Sequence, residues 1–238
     1  MKETFIKTEN YTKMQELMST LVDDLKGNEF VIGLAYGDFG LGKTITLEKI
    51  RDEYGAIFLR QTQSWTPSSV RTLLAEHLII DTKGKNPIVV QDEIVNELLS
   101  DPRPIIIDEI DGLLNADRFS VLEFFRDIHD LTGNPLILVG MEGSKARLKN
   151  HRHFFSRIAE ECKFMKIGMA DIRSFCSLGD IEIEEDLIVY FSKKYPNFRR
   201  MKVLILRMEK WADINGVEKM GLKLFKQSNV EKHDGTNH

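Results

Sequence analysis

Short apolar runs alternate with helical periodicities over the first two thirds of the chain. Phe30-Val31-Ile32-Gly33-Leu34-Ala35, Ala56-Ile57-Phe58-Leu59, Ile105-Ile106-Ile107 and Leu136-Ile137-Leu138-Val139 each read as a buried strand, and Lys163 to Ile167 reads as a fifth. An uninterrupted isoleucine run this short fits a central parallel strand covered on both faces. Between these runs the apolar spacing is helical. Residues 5–27 carry Met14, Leu17, Met18, Leu21 and Val22 on one face, with Thr8 or Asn10 as the cap and Asn28 as the stop. A helix from Thr44 stops at Gly55. Another, begun by Trp65-Thr66-Pro67-Ser68-Ser69, runs through Val70, Leu73, Leu74 and Leu78, with Trp65 as a core anchor for its turn. Val89 to Leu99 turns Ile94, Val95, Leu98 and Leu99 inward, residues 117–131 turn Val121, Leu122, Phe125 and Ile128 inward, and a short helix spans Ser144 to Lys149. Strands alternating with helices in this way predict an α/β fold, a five-stranded parallel sheet with helices on both faces.

At Gly179 the character changes and no further strand pattern is seen. Glu184 to Lys194 is one helix, and a second follows Pro196-Asn197. Met201, Leu204, Ile205, Met208, Trp211 and Ala212 give that second helix a continuous apolar stripe, read as core. Val217 to Phe225 is a third helical piece. The division expected is a lead-in helix over 1–27, a main domain over 28–178, a small helical lid over 179–228 and a flexible tail over 229–238.

Composition narrows the class. The 238 residues are 42% hydrophobic and 29% charged, with a net charge of −4, so any basic surface has to be local. No apolar run approaches the length of a bilayer span, and Met1-Lys2-Glu3-Thr4 lacks the apolar stretch of a signal peptide. Cys162 and Cys176 are far apart, outside any CxxC pattern, and read as free thiols of a cytoplasmic protein.

The chemistry begins at Gly37-Asp38-Phe39-Gly40-Leu41-Gly42-Lys43-Thr44, which fits G-x-x-x-x-G-K-[ST], the phosphate-binding P-loop, and has the strand–loop–helix setting that motif requires. A nucleotide tail carries several negative charges and needs many donors at once. Glycines let backbone N–H groups converge on it, and the following helix, from Lys43 through Ile45, adds its positive end. Lys43 would reach the β- and γ-phosphates of ATP, and Thr44 would offer a hydroxyl to Mg²⁺. About 65 residues on, Asp108-Glu109 ends the isoleucine strand, where parallel sheets put ligands. Asp108 suits the metal and Glu109 suits the attacking water. Asp111 reads as the cap of the next short helix. Arg157, before the fifth strand, and Arg152, upstream, are candidates for a cation acting on a neighbouring subunit's nucleotide. Arg199 and Arg200 open the long lid helix. His151 and His153 form an H-x-H without a third ligand, which argues against a metal site.

Together, the P-loop, Ile105-Ile106-Ile107-Asp108-Glu109, Ser156-Arg157-Ile158 and the helical lid resemble an AAA+ ATPase. Within that superfamily the chain looks most like the transposition ATPases of the phage Mu B and Tn7 C type, on Phe5 to Asn10, Gln63-Ser64-Trp65-Thr66, Phe125 to Asp130 and Leu138 to Glu142. The resemblance implies an ATP-dependent homo-oligomer on DNA that marks target DNA and stimulates a transposase. It carries Lys43 and Thr44 over as phosphate and Mg²⁺ residues, Asp108 and Glu109 as the metal and water-activating pair, Arg157 as the finger and Arg199 as the lid arginine. Two departures stand out. Many AAA+ proteins end the fourth strand with Asn or Thr as a γ-phosphate sensor; here the place reads Val139-Gly140-Met141, which implies slow hydrolysis. The added N-terminal helix-turn-helix domain of the Mu type has no counterpart before this core, so DNA contacts would come from the ATPase body or lid, where Lys145, Arg147, Lys149 and Arg152, and Lys193, Lys194, Arg199, Arg200, Lys202, Arg207 and Lys210, cluster. Two other readings fit the same motifs: a loader or remodeller of a protein partner such as a replicative helicase, and a nucleotide-gated interaction module.

Overall fold

The computed structural model describes residues 1, 4–24 and 32–233. The expected helix stop at Asn28, the strand residues Phe30 and Val31 and the tail from 234 lie outside the described residues. Contacts group the chain into two compact units. One holds residues 13–38 and 44–164, and the other holds 1–12, 39–43 and 165–238.

The larger unit is a parallel sheet. Helix α1 (Glu9–Asp24) leads to β1 (Ile32–Tyr36), α2 (Lys43–Tyr54), β2 (Ile57–Arg60), α3 (Pro67–His77), α4 (Pro87–Ser100), β3 (Ile105–Asp108), α5 (Phe119–Thr132), β4 (Leu136–Gly140), the short α6 (Ser144–Leu148) and α7 (Arg152–Phe155), and β5 (Ile158–Lys163). The strand order is β2-β3-β4-β1-β5, all pairs parallel. β1, β3 and β4 are buried along their whole length, because helices cover both faces. Local chemistry sets the helix starts. Thr8 caps α1, its hydroxyl accepting from Tyr11 N at 3.2 Å, while Asn10 faces elsewhere. Thr66 and Ser69 form a reciprocal capping box on α3, and Asn86 with Pro87 opens α4. Trp65 is buried, its ring 6.1 Å from that of Phe125, as an anchor should be.

Several details depart from the pattern-based expectation. The fifth strand is Ile158–Lys163, not Lys163–Ile167. It lies at the sheet edge and mostly faces solvent, so Glu160 and Glu161 replace the apolar run that marks a central strand. In α4 it is Val90, Ile94 and Leu98 that are buried, whereas Leu99 is 54% exposed. The helix starting at Ser144 is shorter than its pattern, and α7 has no clear apolar period.

In the smaller unit, α8 (Met169–Cys176) precedes β6 (Glu182–Ile183), α9 (Glu185–Lys194), α10 (Phe198–Asn215), β7 (Lys219–Met220) and α11 (Leu222–Gln227). The expectation of no strand beyond Gly179 is corrected by β6 and β7, a parallel pair of two residues each, too short for any periodicity to announce. The α10 stripe holds for Met201, Leu204, Ile205, Met208 and Ala212, which are buried, whereas Trp211 is only partly so. Cys162, in the larger unit, and Cys176 are both free and buried, and burial pushes the thiols up to about 11 and about 12, away from reactive thiolates. Among the described residues no helix is long and apolar enough to cross a membrane.

Beyond Ser228 the chain forms a 3₁₀ turn, Val230–His233, with Val230 buried. Glu231 Oε1 accepts from Tyr190 at 2.6 Å and from Lys194 at 2.8 Å, and also from the Tyr195 hydroxyl. Burial pushes the Glu231 carboxyl up, but the bonds from Lys194, Tyr190 and Tyr195 outweigh it and hold it at about 2, below the ordinary 4.5. A carboxyl depressed in the folded state stabilises above its unfolded pKa, and that contribution is lost as pH falls toward the folded value. Wild type is therefore expected to lose this increment between about pH 4.5 and pH 2. Glu231→Gln lacks it, so the stability gap between the two narrows over that window in denaturation curves recorded at each pH.

Asp111 is not a helix cap. It lies inside the 3₁₀ turn Ile110–Leu113 and accepts from Met141 N at 2.9 Å and Ser144 Oγ at 2.7 Å, tying the exit of β3 to the exit of β4. Ser144 is fully buried, so Asp111→Ala removes a charged acceptor from an enclosed hydroxyl. The expected cost is about 2 kcal/mol, the range for hydrogen bonds to charged groups, read as a lower urea midpoint at unchanged slope.

Candidate functional site

All five strands of the larger unit point the same way, so one edge collects their C-terminal ends. On it Tyr36 of β1 lies opposite Gly140 of β4, and Ile107 of β3 lies opposite Leu138 of β4. The chain leaving β1 as Gly37-Asp38 and the acidic pair leaving β3 therefore emerge at the same edge, with β4 between them. This is where open α/β sheets take ligands.

Asp108 is 3% exposed. Its Oδ1 accepts from Glu109 N at 2.8 Å, and its Oδ2 lies 3.5 Å from Nε of Arg60, its register partner on β2. Glu109 is exposed and holds a left-handed backbone, φ 62° and ψ 38°. That conformation costs a non-glycine residue about 1 kcal/mol or more, and such residues collect at functional sites. It turns the chain sharply at the end of the buried strand and leaves the Glu109 carboxylate at the sheet edge. Thr44, in the first turn of α2, is half-buried.

The Thr44 hydroxyl and the buried Asp108 carboxylate are both hard oxygen donors. Among the described residues no group of three or more His, Cys, Asp or Glu is arranged to hold a metal. Oxygen donors of this kind suit Mg²⁺, which takes one or two protein oxygens and completes its shell with phosphate and water. The residues present fit the ion.

The rest of the loop makes its contacts in the smaller unit. Gly40 and Gly42 have φ of 77° and 89°, which a side chain would strain. Three consecutive loop carbonyls have donors. Asn197 Nδ2 donates to Phe39 O at 3.0 Å, Phe198 N donates to Gly40 O at 2.9 Å, and Asn10 Nδ2 approaches Leu41 O at 3.4 Å. A Cβ on Gly40 would stand 2.1 Å from the Asn197 amide. Lys43 opens α2, while Phe39 and Ile45, to either side of it, are 65% and 55% exposed.

Arg157 stands at the other edge of the sheet. Its carbonyl accepts from Ile32 N at 2.9 Å, at the start of β1, and its guanidinium pairs with Asp130. A side chain at that edge faces away from the loop that follows β1 in its own chain. Arg152 opens α7 and is exposed. In the lid Arg199 is exposed, and the Arg200 guanidinium lies 5.3 Å from the Tyr195 ring centroid. His151 stacks on Phe119 at 3.4 Å. Three residues of the site were not singled out from sequence. Arg60 becomes visible only when β2 is known to pair with β3. Asn197 shows its capping role in sequence, but its contact with the loop depends on the fold, as does that of Asn10.

Residues 31–148 match the family model described as an AAA domain. No curated protein sequence matches the chain. Among solved structures, the Aeropyrum pernix ORC2 protein in its ADPNP and ADP complexes aligns over all of this chain and 72% of its own, with a TM-score of 0.71 and 14% identity. The Aeropyrum pernix ORC1 protein in complex with DNA aligns over 95% of this chain and 66% of its own, with a TM-score of 0.63 and 18% identity. The Thermotoga maritima RuvB Holliday junction branch migration motor aligns over 93% and 69%, with a TM-score of 0.61 and 18% identity. The chain thus spans about two thirds of the length of these proteins, and at such identities the likeness is one of fold. Residues 31–148 are thus similar to an AAA domain, and the chain has the P-loop AAA+ fold, a five-stranded parallel sheet flanked by helices.

Proposed function

We propose that the chain is an ATPase that binds Mg²⁺-ATP in the P-loop, hydrolyses it slowly, assembles with ATP into a homo-oligomer on DNA without sequence preference, and regulates transposition through a transposase. The observation that carries the nucleotide part is the acidic pair at the same sheet edge as the P-loop exit, with Glu109 held in a left-handed turn. DNA as partner is supported by the solved relatives, one in complex with DNA and one a branch migration motor, and by the basic clusters named above. The transposition role rests on the sequence resemblance to the Mu B and Tn7 C-type proteins.

In this reading the N–H groups of the glycine loop and the Lys43 ammonium neutralise the triphosphate. Thr44 and Asp108 hold the metal, which when bound neutralises charge developing on the phosphate oxygens. Glu109 takes a hydrogen bond from the attacking water and orients it. Arg157, at the far edge from its own loop, serves the nucleotide of an adjoining copy, with Arg152 in support. Arg199 approaches the phosphates from the lid. The fourth strand ends without a polar side chain to read the γ-phosphate, which keeps turnover low.

Lys43→Ala is expected to abolish binding of a fluorescent ATP analogue, and retained affinity would remove the loop from its role. Glu109→Gln should keep nucleotide affinity and lower turnover roughly 10²-fold or more, the usual worth of a positioned base. Turnover equal to wild type would take Glu109 out of the chemistry.

Duplex DNA binding should require ATP and fall steeply with salt, about one decade in affinity per decade of salt for each phosphate neutralised. It is best followed by fluorescence anisotropy alongside light scattering for oligomers. No complex at low salt with excess duplex would end the DNA reading while leaving the ATPase reading standing.

A further inference from the structure

The P-loop has an outer side as well as the side that would face an anion, and here three carbonyls of the outer side are engaged. Three consecutive carbonyls, of Phe39, Gly40 and Leu41, meet donors from Asn197, the Phe198 backbone and Asn10. A trans peptide is planar, with C=O and N–H pointing in opposite directions. Among the described residues no peptide is cis. Fixing the carbonyl of residue 39 toward Asn197 therefore fixes the N–H of Gly40 away from it. The carbonyls of 40 and 41 set the N–H groups of Leu41 and Gly42 in the same way. These are the N–H groups a P-loop turns on a phosphate.

Of the two supports made by side chains, that of Asn197 is the shorter, 3.0 Å against 3.4 Å. Its Oδ1 accepts from Arg200 N at 3.0 Å and so caps α10, while its Nδ2 donates to Phe39 O at 3.0 Å. One amide thus joins the start of the lid helix to the loop. Gly40, without a side chain, lets it approach, and the Phe198 ring lies 3.3 Å from where a Cβ on Gly42 would stand. Asn10 is held by Met165, donating to its carbonyl at 2.9 Å and accepting from its N–H at 2.8 Å, so its longer reach to Leu41 is a secondary support.

We infer that Asn197 is a positioning residue for phosphate binding: its amide donor pre-orients the loop's peptides so that their N–H groups face the incoming anion. The inference rests on the P-loop reading above and deepens it. Binding by a pre-oriented loop avoids ordering the peptides at the moment of binding, and affinity follows that saving. Linkage also makes the effect reciprocal, so an anion that holds the loop steadies the first turn of α10.

Two substitutions separate the donor from the cap. Asn197→Ser keeps a good helix cap, is neutral, and is too short to reach Phe39 O. Asn197→Asp keeps the cap and the length but has no donor. Both are expected to unfold at nearly the wild-type temperature, which checks that α10 is intact. Both should bind a slowly hydrolysed ATP analogue about tenfold more weakly by titration calorimetry, with the same loss for ADP, which also occupies the loop. Wild-type affinity in both variants overturns the inference. A loss confined to Asn197→Asp also overturns it, since repulsion by the new carboxylate would then be the cause. Lys43→Ala, run alongside, tells the two readings apart. If it binds as wild type does, the P-loop assignment itself falls; if it abolishes binding while Asn197→Ser is unaffected, only the role of Asn197 falls.

Discussion

A carboxylate at the end of a strand buried on both faces is the constraint around which the larger unit is arranged. Burying a charge without compensation costs several kcal/mol. Asp108 is compensated from two sides, by the backbone N–H of Glu109 and by the Arg60 guanidinium on the next strand. The first of these requires the chain to turn at once, which puts Glu109 in its left-handed conformation. The second requires β2 to lie beside β3 in the register that sets Arg60 against Asp108. The same two contacts fix the Asp108 carboxylate in place at the strand end.

The parts of the fold that could be read from the chain are those whose cause lies in contiguous residues. Ile105-Ile106-Ile107 announces a central strand because each side chain must be buried on one face or the other. Thr66-Pro67-Ser68-Ser69 announces a helix start because cap and box lie within four residues. The strand at Ile158 was misplaced for the opposite reason: an edge strand needs no apolar run, and its pairing with β1 supplies order that its own residues do not advertise. β6 and β7, at two residues each, exist only as a pair.

The site divides in the same way. Gly37 to Thr44 and Asp108-Glu109 were legible because a motif needs fixed residues at fixed spacing. Asp111 was misread because its partners, Met141 and Ser144, are about 30 residues away and reach it only once β3 and β4 pair. Asn197 and Phe39 are 158 residues apart, and no local pattern links them. Motifs therefore nominate groups for the nucleotide, while the contacts that hold the loop in place required the fold.

The end of β4 shows how packing and chemistry constrain each other. A Cβ on Gly140 would lie 2.1 Å from Ser144 Oγ and 3.0 Å from Ile110 Cγ1. Any side chain there collides with the buried hydroxyl that Asp111 holds. The network joining β3 to β4 fills the space in which a longer group would stand, so a side chain at Gly140 would have to displace the Ser144 hydroxyl that Asp111 holds. The feature that joins the exits of these two strands is the same one that leaves no room for a side chain at the end of the fourth.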